Sequence, residues 1–439
     1  MRRADRIGKR HLTRAATAVL GALSMWLVMV PSAEASWTPT YKVSPAGWMG
    51  QDSPTVAVDR QGDSLLVWAA CDGSIPGCLF QVQARIKPRR GAMGPIKTLS
   101  PLGAVTAWPQ VASDNNGDSA VVWEQDSQVM GRRVSASGRV GALLRLSPPS
   151  SSALGINPSV VVAPHGRALV VWSEIENGSY FALARYFFKD GSLGRVMTLG
   201  TGSADGPAAG MDRLGRSVVA WSDSYQRVVA RRIRPGHVSR LRVIKAAVSG
   251  IGYGRVLVGD DRDGDAVISF LRSINSGNGG PAHVWARRWK HTGRLGTVLH
   301  ISPSKENVTF YSALATDLQG DSVLLWSERT SVTRTVVFGR RISRRGRLGP
   351  ITRLGIGDRP AVAVDDDGNG LAVWQSPGPP YDATKVFARK ISRSGVFRRK
   401  VRLSSDGRVV RTASSPKGRF SVIWQQSSAP YRIHARFGR

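Results

Sequence analysis

One aromatic residue recurs along this chain at nearly constant intervals: Trp68, Trp123, Trp172, Trp221, Phe270, Trp326, Trp374 and Trp424. The spacings are 55, 49, 49, 49, 56, 48 and 50 residues. Six residues before each aromatic stands a glycine: Gly62, Gly117, Gly166, Gly215, Gly264, Gly320, Gly368 and Gly418. Nine residues before it, six units carry Asp59, Asp114, Asp212, Asp261, Asp317 or Asp365, with Ala163 and Ser415 in the other two. Fourteen before it, five units carry Pro54, Pro109, Pro158, Pro207 or Pro360. Downstream, each unit has an arginine after a small residue (Arg85, Arg132, Arg185, Arg231, Arg287, Arg340, Arg389, Arg436). In the first seven units a glycine follows, and eight residues beyond that a leucine or isoleucine, from Leu99 to Leu403. A register kept this tightly is the signature of a repeat architecture.

Each unit reads as four short strands, A to D. Val56–Val58 and Ser64–Trp68 are apolar, β-branched runs flanking Asp59-Arg-Gln-Gly62, which is a strand, a tight turn and a strand. The glycine supplies the positive φ that such a turn needs. Val82–Ile86 and Ile96–Leu99 flank a second turn at Gly91. No segment has helical periodicity. The expected fold is all-β: a single closed eight-bladed β-propeller of four-stranded antiparallel blades over residues 36–439. A β-solenoid would need shorter coils and parallel strands. The eighth unit reaches Arg439 after strand C, while Trp37–Ser44 reads as a strand D whose Val43-Ser44 matches Leu99-Ser100 and Leu403-Ser404. The N-terminal strand is therefore expected to complete the last blade, which removes an aggregation-prone edge.

These P-x-V-A-x-D-x-x-G-x-x-x-x-x-W units resemble those of secreted bacterial propeller proteins, and the resemblance covers nearly all of residues 36–439. It implies the fold and leaves function open. The unit also resembles the sialidase Asp-box and the tryptophan-docking motif of quinoprotein dehydrogenases, but with different spacing, and the adjacent-cysteine pair of the latter is missing.

Arg2, Arg3, Arg6, Lys9, Arg10 and Arg14 precede an apolar run, Ala15–Val30, and then Ala33-Glu34-Ala35. That order reads as a secretory signal over residues 1–35, too short for a comfortable membrane span; retention as an anchor stays open. A secreted, extracellular chain with no transmembrane segment after processing is expected. The net charge is +32; the leader's six basic and two acidic residues account for part of it and leave +28. Such a charge bears on partners and solubility, and makes anionic polymers candidate ligands without implying specific nucleic-acid recognition. In an oxidising compartment Cys71 and Cys78 read as one local disulfide. A monomer is expected.

Loop lengths point to a functional face. The distance from the aromatic to the arginine runs from 9 to 17 residues, and from the leucine or isoleucine to the next A–B glycine from 14 to 20, while the A–B and C–D turns are constant. The variable B–C and D–A loops emerge on one face, and variable loops on a rigid scaffold are where binding sites concentrate. Trp48, Trp108, Tyr180, Tyr225, Tyr253, Tyr311, Tyr381 and Tyr431 fall there. Such rings suit sugar faces and peptide contacts, so a glycan is the expected ligand class. On the opposite face the A–B turns are acidic and the C–D turns basic, and Arg344, Arg345, Arg347, Arg398 and Arg399 form a candidate anion-binding rim. Asp261-Arg-Asp263-Gly264-Asp265 and Asp365-Asp-Asp367-Gly368 look like calcium loops but lack the distant ligand an EF-hand needs, and are expected to be turns. The strand-C arginine is expected to be structural, with the A–B aspartate as a candidate partner. The histidines are dispersed, no catalytic motif or cofactor fingerprint is present, and no metal or cofactor is expected. The reading leans against an enzyme. Glu124, Glu174 and Glu328, just after the strand-B tryptophan, are the carboxylates that would serve glycan cleavage on this face.

Overall fold

The computed structural model describes residues 37–439, except 46–48, 51–52, 72–79, 103–105, 149–153, 275–280, 303–306, 377–383 and 429–430. Residues 1–36, with the segment read as a signal, and Trp48, Cys78 and Tyr381 lie outside the described residues. Within them the regular structure is β throughout, in eight antiparallel sheets that each run as a meander. Blade 5 is representative: strand A is Ile251–Asp260, B is Ala266–Ile274, C is Ala282–Trp289 and D is Leu295–His300. Every strand A touches the strand A of the next blade, all the way round and back to the first. The chain from Trp37 is thus an eight-bladed β-propeller with strand A innermost and D at the rim. Among the described residues no helix is long and apolar enough to cross a membrane.

The repeated aromatics are the core. Trp68, Trp123, Trp172, Trp221, Trp326, Trp374, Trp424 and Phe270 are all buried between blades. Trp221, for example, packs with Leu169, Val171 and Leu199 of the preceding blade.

The Asp and Gly of the A–B turn turn out to be one device acting across two blades. The Asp261 Oδ1 accepts the amide hydrogens of Asp263 at 3.0 Å and Asp265 at 2.9 Å, so the turn is closed by its own carboxylate. Its Oδ2 then faces the glycine of the next blade: a Cβ built on Gly320 would lie 2.6 Å from it. The same approach recurs from Asp59 to Gly117, Asp212 to Gly264, Asp317 to Gly368 and Asp365 to Gly418. In blade 8 Ser415 takes over the turn-closing role, its Oγ accepting from Lys417 and Arg419.

The strand-C arginine does not pair with that aspartate. Arg185 donates through Nε to the Gly194 carbonyl of its own C–D hairpin at 2.7 Å and through Nη1 to the Leu146 carbonyl of the preceding blade at 3.0 Å. Arg85, Arg231, Arg287 and Arg340 repeat this, reaching Val43, Leu199, Ile244 and Ile301 respectively. A planar fork can satisfy two carbonyls at once, so the arginine ties a hairpin to the outer strand next door. The residue after it reaches the A–B turn instead, as Arg288 does at 3.6 Å from Asp261.

The N-terminal strand closes the ring. Tyr41 and Lys42 pair with Ala435 and His434 of blade 8. Val43 is fully buried, its N–H donates to Ile433, and Ser44 Oγ accepts the Ile433 N–H at 3.0 Å. Ser100, Ser147 and Ser302 make that same bond in blades 1, 2 and 5, so the match of Val43-Ser44 to Leu99-Ser100 is a structural equivalence. Cys71 ends strand B of blade 1 and is buried.

Candidate ligand-binding face

At the B–C/D–A face the central channel opens between the first residues of the eight A strands. Strand A carries a bulge here, where its register against strand B slips: between Ala107 and Gln110 in blade 2, Ile156 and Ser159 in blade 3, Gly254 and Leu257 in blade 5, Asp358 and Ala361 in blade 7. The bulged residue lies fifteen before the core aromatic and takes left-handed backbone. It is Trp108 (φ 53°), Asn157 (52°), Arg255 (36°), Arg359 (47°) and Val409 (50°) in blades 2, 3, 5, 7 and 8. Only blade 4 places a glycine there, Gly206 at φ 75°. A left-handed non-glycine residue costs about 1–2 kcal/mol, and such positions gather where a side chain has to be aimed.

The bulge is held by the preceding blade. The Arg255 N–H donates to Asp205 Oδ2 at 3.0 Å, the Val409 N–H to Gln375 Oε1 at 2.7 Å, and the Asn157 N–H to Glu124. Blade 6 places Tyr311 at this register position, with Arg359 of blade 7 lying 4.8 Å over its ring. Arg255 reaches from blade 5 towards the Ser312 carbonyl at 3.4 Å. Arg255 is exposed to solvent, yet protein crowds its guanidinium, and that desolvation lowers its pKa against the opposing pull of Asp205 and Tyr311.

The aromatics expected on this face divide. Trp108 is 51% exposed and Tyr225 38% exposed. Tyr225 sits in the three-residue B–C turn Ser224–Gln226, where it and Ser224 are both left-handed, and its hydroxyl accepts the Ala204 N–H at 3.2 Å. Tyr180, Tyr311 and Tyr431 are half-buried; Arg408 lies 5.1 Å over Tyr431. Tyr253 is a correction. It is buried at 1% exposure and edge-on to Phe270 with centroids 5.8 Å apart, so it belongs to the core of blade 5. Its place within strand A, two residues before the bulge, turns it inward.

Two of the three glutamates serve the fold. Trp172 Nε1 donates to Glu174 Oε2 at 3.2 Å, and Trp326 Nε1 to Glu328 Oε1 at 2.6 Å. Both carboxylates are buried and satisfy core indoles. Glu124 is half-buried, and burial raises its pKa, opposed by the Asn157 N–H. It is the one of the three placed at the mouth.

On the opposite face the acidic turns bind basic or amide partners of the C–D turns. Asp118 pairs with Lys189 at 2.6 Å, Asp265 with His291 at 2.7 Å and Asp321 with Arg341 at 2.5 Å. Asp321 also accepts the Arg344 N–H at 2.6 Å. Arg344, Arg345, Arg347, Arg398 and Arg399 are exposed, and the first four make no ion pair among the described residues.

Sequence reading missed Arg255, Arg359 and Asn157. The signal that could have found them is the register itself: fifteen before the aromatic the repeat prescribes no residue type.

No family model matches the chain, and no curated protein matches it. Among solved structures it is similar to the BP39L lectin from Burkholderia pseudomallei, with 12% identity over 80% of this chain and 99% of that one and a TM-score of 0.56. It is similar at lower TM-score, 0.48, to the polysaccharide lyase Uly1, with 10% identity over 91% of this chain and 100% of that one. A prolyl endopeptidase matches with 13% identity and a TM-score of 0.48 over 85% of this chain, which spans 55% of that enzyme's length. At these identities the likeness concerns the fold.

Proposed function

We propose that this is an exported, non-catalytic binding propeller that recognises glycan at the mouth of its channel on the B–C/D–A face. The observation that carries this reading is Trp108: a large ring left exposed, on a left-handed backbone position where blade 4 places a glycine. An indole offers a flat apolar face with a polar edge, which suits the apolar face of a sugar. Tyr225 and Tyr311 add rings on blades 4 and 6 of the same face. A lectin is among the proteins that share this scaffold. The test is binding of the purified protein to a panel of wall and extracellular glycans, with Trp108→Ala alongside. Loss of binding in the variant without loss of folding is expected. Release of product from any glycan, abolished in Glu124→Gln, would replace this reading with glycan cleavage.

A second reading has its own observation. Arg344, Arg345, Arg347 and Arg398 are exposed and unpaired among the described residues, on a chain of net charge +32. They favour anionic polymers on the A–B/C–D face. Such binding falls steeply with salt because it releases counterions, whereas stacking on Trp108 is nearly indifferent to salt. Retention on anionic and neutral glycan columns across a salt gradient separates the two.

A further inference from the structure

Three consecutive blades fill the bulge register with Arg255, Tyr311 and Arg359, while the other blades place Ser53, Trp108, Asn157, Gly206 and Val409 there. The position has no common structural role in the repeat, so these three side chains are not explained by the fold. Gly206 shows the low-strain residue the bulge accepts; Arg255 and Arg359 are held in left-handed backbone instead.

We propose that the arc of the mouth built by blades 5 to 7 receives the carboxylate of an acidic sugar, a uronate, between the Arg255 and Arg359 guanidiniums, with Tyr311 as the platform between them. This deepens the glycan reading and rests on it.

The geometry suits that chemistry. Arg359 is stacked 4.8 Å over Tyr311, which fixes a long side chain in one orientation. Its guanidinium makes no hydrogen bond among the described residues, so its fork is available. Arg255 spends one nitrogen on the Ser312 carbonyl, at a long 3.4 Å. The charges facing them are Asp205 and Asp358. Asp205 is occupied by the Arg255 N–H. Asp358, beside Arg359, is half-buried, and burial raises its pKa against the pull of Gln375 and Arg359. Two guanidinium forks in a concave, partly desolvated setting match a planar carboxylate better than scattered surface charge does. Trp108 stands on blade 2, four blades from Tyr311 in a ring of eight, so an oligomer crossing the mouth can stack at one side and be read for charge at the other.

The experiment is titration calorimetry at physiological ionic strength. The probes are oligomers of galacturonic, glucuronic and mannuronic acid and the carboxyl-reduced, neutral counterpart of each. At least one uronate oligomer binds about tenfold or more tightly than its neutral partner, the scale of a charge-assisted bond. Arg255→Gln and Arg359→Gln each remove that preference. Arg359→Lys, which keeps the charge and the fold but loses the fork, restores it in part. Trp108→Ala weakens acidic and neutral oligomers alike, and Arg344→Gln/Arg345→Gln/Arg347→Gln on the opposite face changes nothing. Neutral oligomers binding as tightly as acidic ones would overturn the charge assignment and leave glycan recognition standing. No binding by any oligomer would bring down both. Loss of uronate affinity in the triple rim variant would move the site to the other face and overturn the proposal.

Discussion

The contact between Asp261 and Gly320 sets up a sharp comparison of two glycines. Both Gly320 and Gly346 are left-handed, at φ 90° and 79°. A Cβ on Gly346 would meet nothing within 4 Å, whereas on Gly320 it would lie 2.6 Å from Asp261 Oδ2 and 3.1 Å from Arg288 Nη1. Gly346→Ala therefore carries only the backbone term, about 1 kcal/mol. Gly320→Ala carries the same term plus overpacking, for a total of about 3 kcal/mol. Asp261 cannot retreat cheaply, because its other oxygen closes its own turn through two amide bonds. For a chain of about 400 residues the unfolding entropy is about 0.85 kcal/mol/K, so the expected losses in Tm are about 1 °C and about 3.5 °C.

Urea denaturation gives the free energies directly, and a double-mutant cycle isolates the contact. Asp261→Ala is destabilising by itself, since two turn amides lose their acceptor. In its background Gly320→Ala costs only the backbone term, which leaves a coupling of about 1–2 kcal/mol. Equal losses at Gly320 and Gly346, or no coupling, would show that the aspartate and glycine act within their own turns and do not join one blade to the next.

Three further expectations follow from particular groups. The Asp260 carboxyl lies against Gly210 of blade 4, and burial drives its pKa well above the ordinary carboxylate range against the opposing pull of Arg232 and the Val218 N–H. The unfolded chain gives up this proton near pH 3.9 while the folded chain holds it, so stability falls as pH rises above about 4; Asp260→Val removes that slope in urea titrations and raises stability near neutral pH. Deleting Trp37–Ser44 uncovers blade 8 and strands the Arg85 fork that bonds Val43. Burial of Val43 alone is worth about 1.5–3 kcal/mol, so Tm drops and light scattering detects association, and a truncated chain as stable and monomeric as the parent would refute closure. Cys71 and Cys78 are proposed to pair in the exported protein, stabilising it by about 2–3 kcal/mol; intact mass before and after reduction reads this, and two free thiols would rule it out.

The fold was legible because the repeat is written at positions that bury or bend the chain. A tryptophan between blades and a glycine at positive φ have few substitutes, so their spacing survives in every unit. Closure was legible for the same reason, since Val43-Ser44 must make the bonds that Leu99-Ser100 makes. Partnership was not. The aspartate of Asp261 recurs in six units and the arginine of Arg185 in all eight, and charge alone suggested that such residues meet. In fact each looks sideways, to a glycine or a carbonyl of the adjacent blade, because a backbone group is present at that place whatever residue the neighbour carries. The mouth was legible only as a face. Loop length located it, but Arg255 and Arg359 are invisible to any search for recurrence, and Tyr253 was misassigned because two residues along a bulged strand separate core from channel.

Left-handed backbone at the bulge gives a way to separate residues kept for the fold from residues kept for a ligand. Glycine there relieves about 1–2 kcal/mol of strain and loosens the unfolded chain by about 0.4–1 kcal/mol. Where the side chain contributes no packing, the exchange is neutral to mildly stabilising, by up to about 1.6 kcal/mol; where it is buried, the lost contacts dominate. Val409 is 3% exposed, so Val409→Gly destabilises. Trp108 is 51% exposed, so the relief of backbone strain offsets much of its lost contact, and Trp108→Gly costs less urea stability than Val409→Gly while glycan affinity falls. A residue whose removal spares the fold and harms binding is being held against its own backbone preference, as functional sites commonly are. If Trp108→Gly were as destabilising as Val409→Gly, the indole would be a packing element of the channel wall, and the mouth would lose the observation on which its assignment rests.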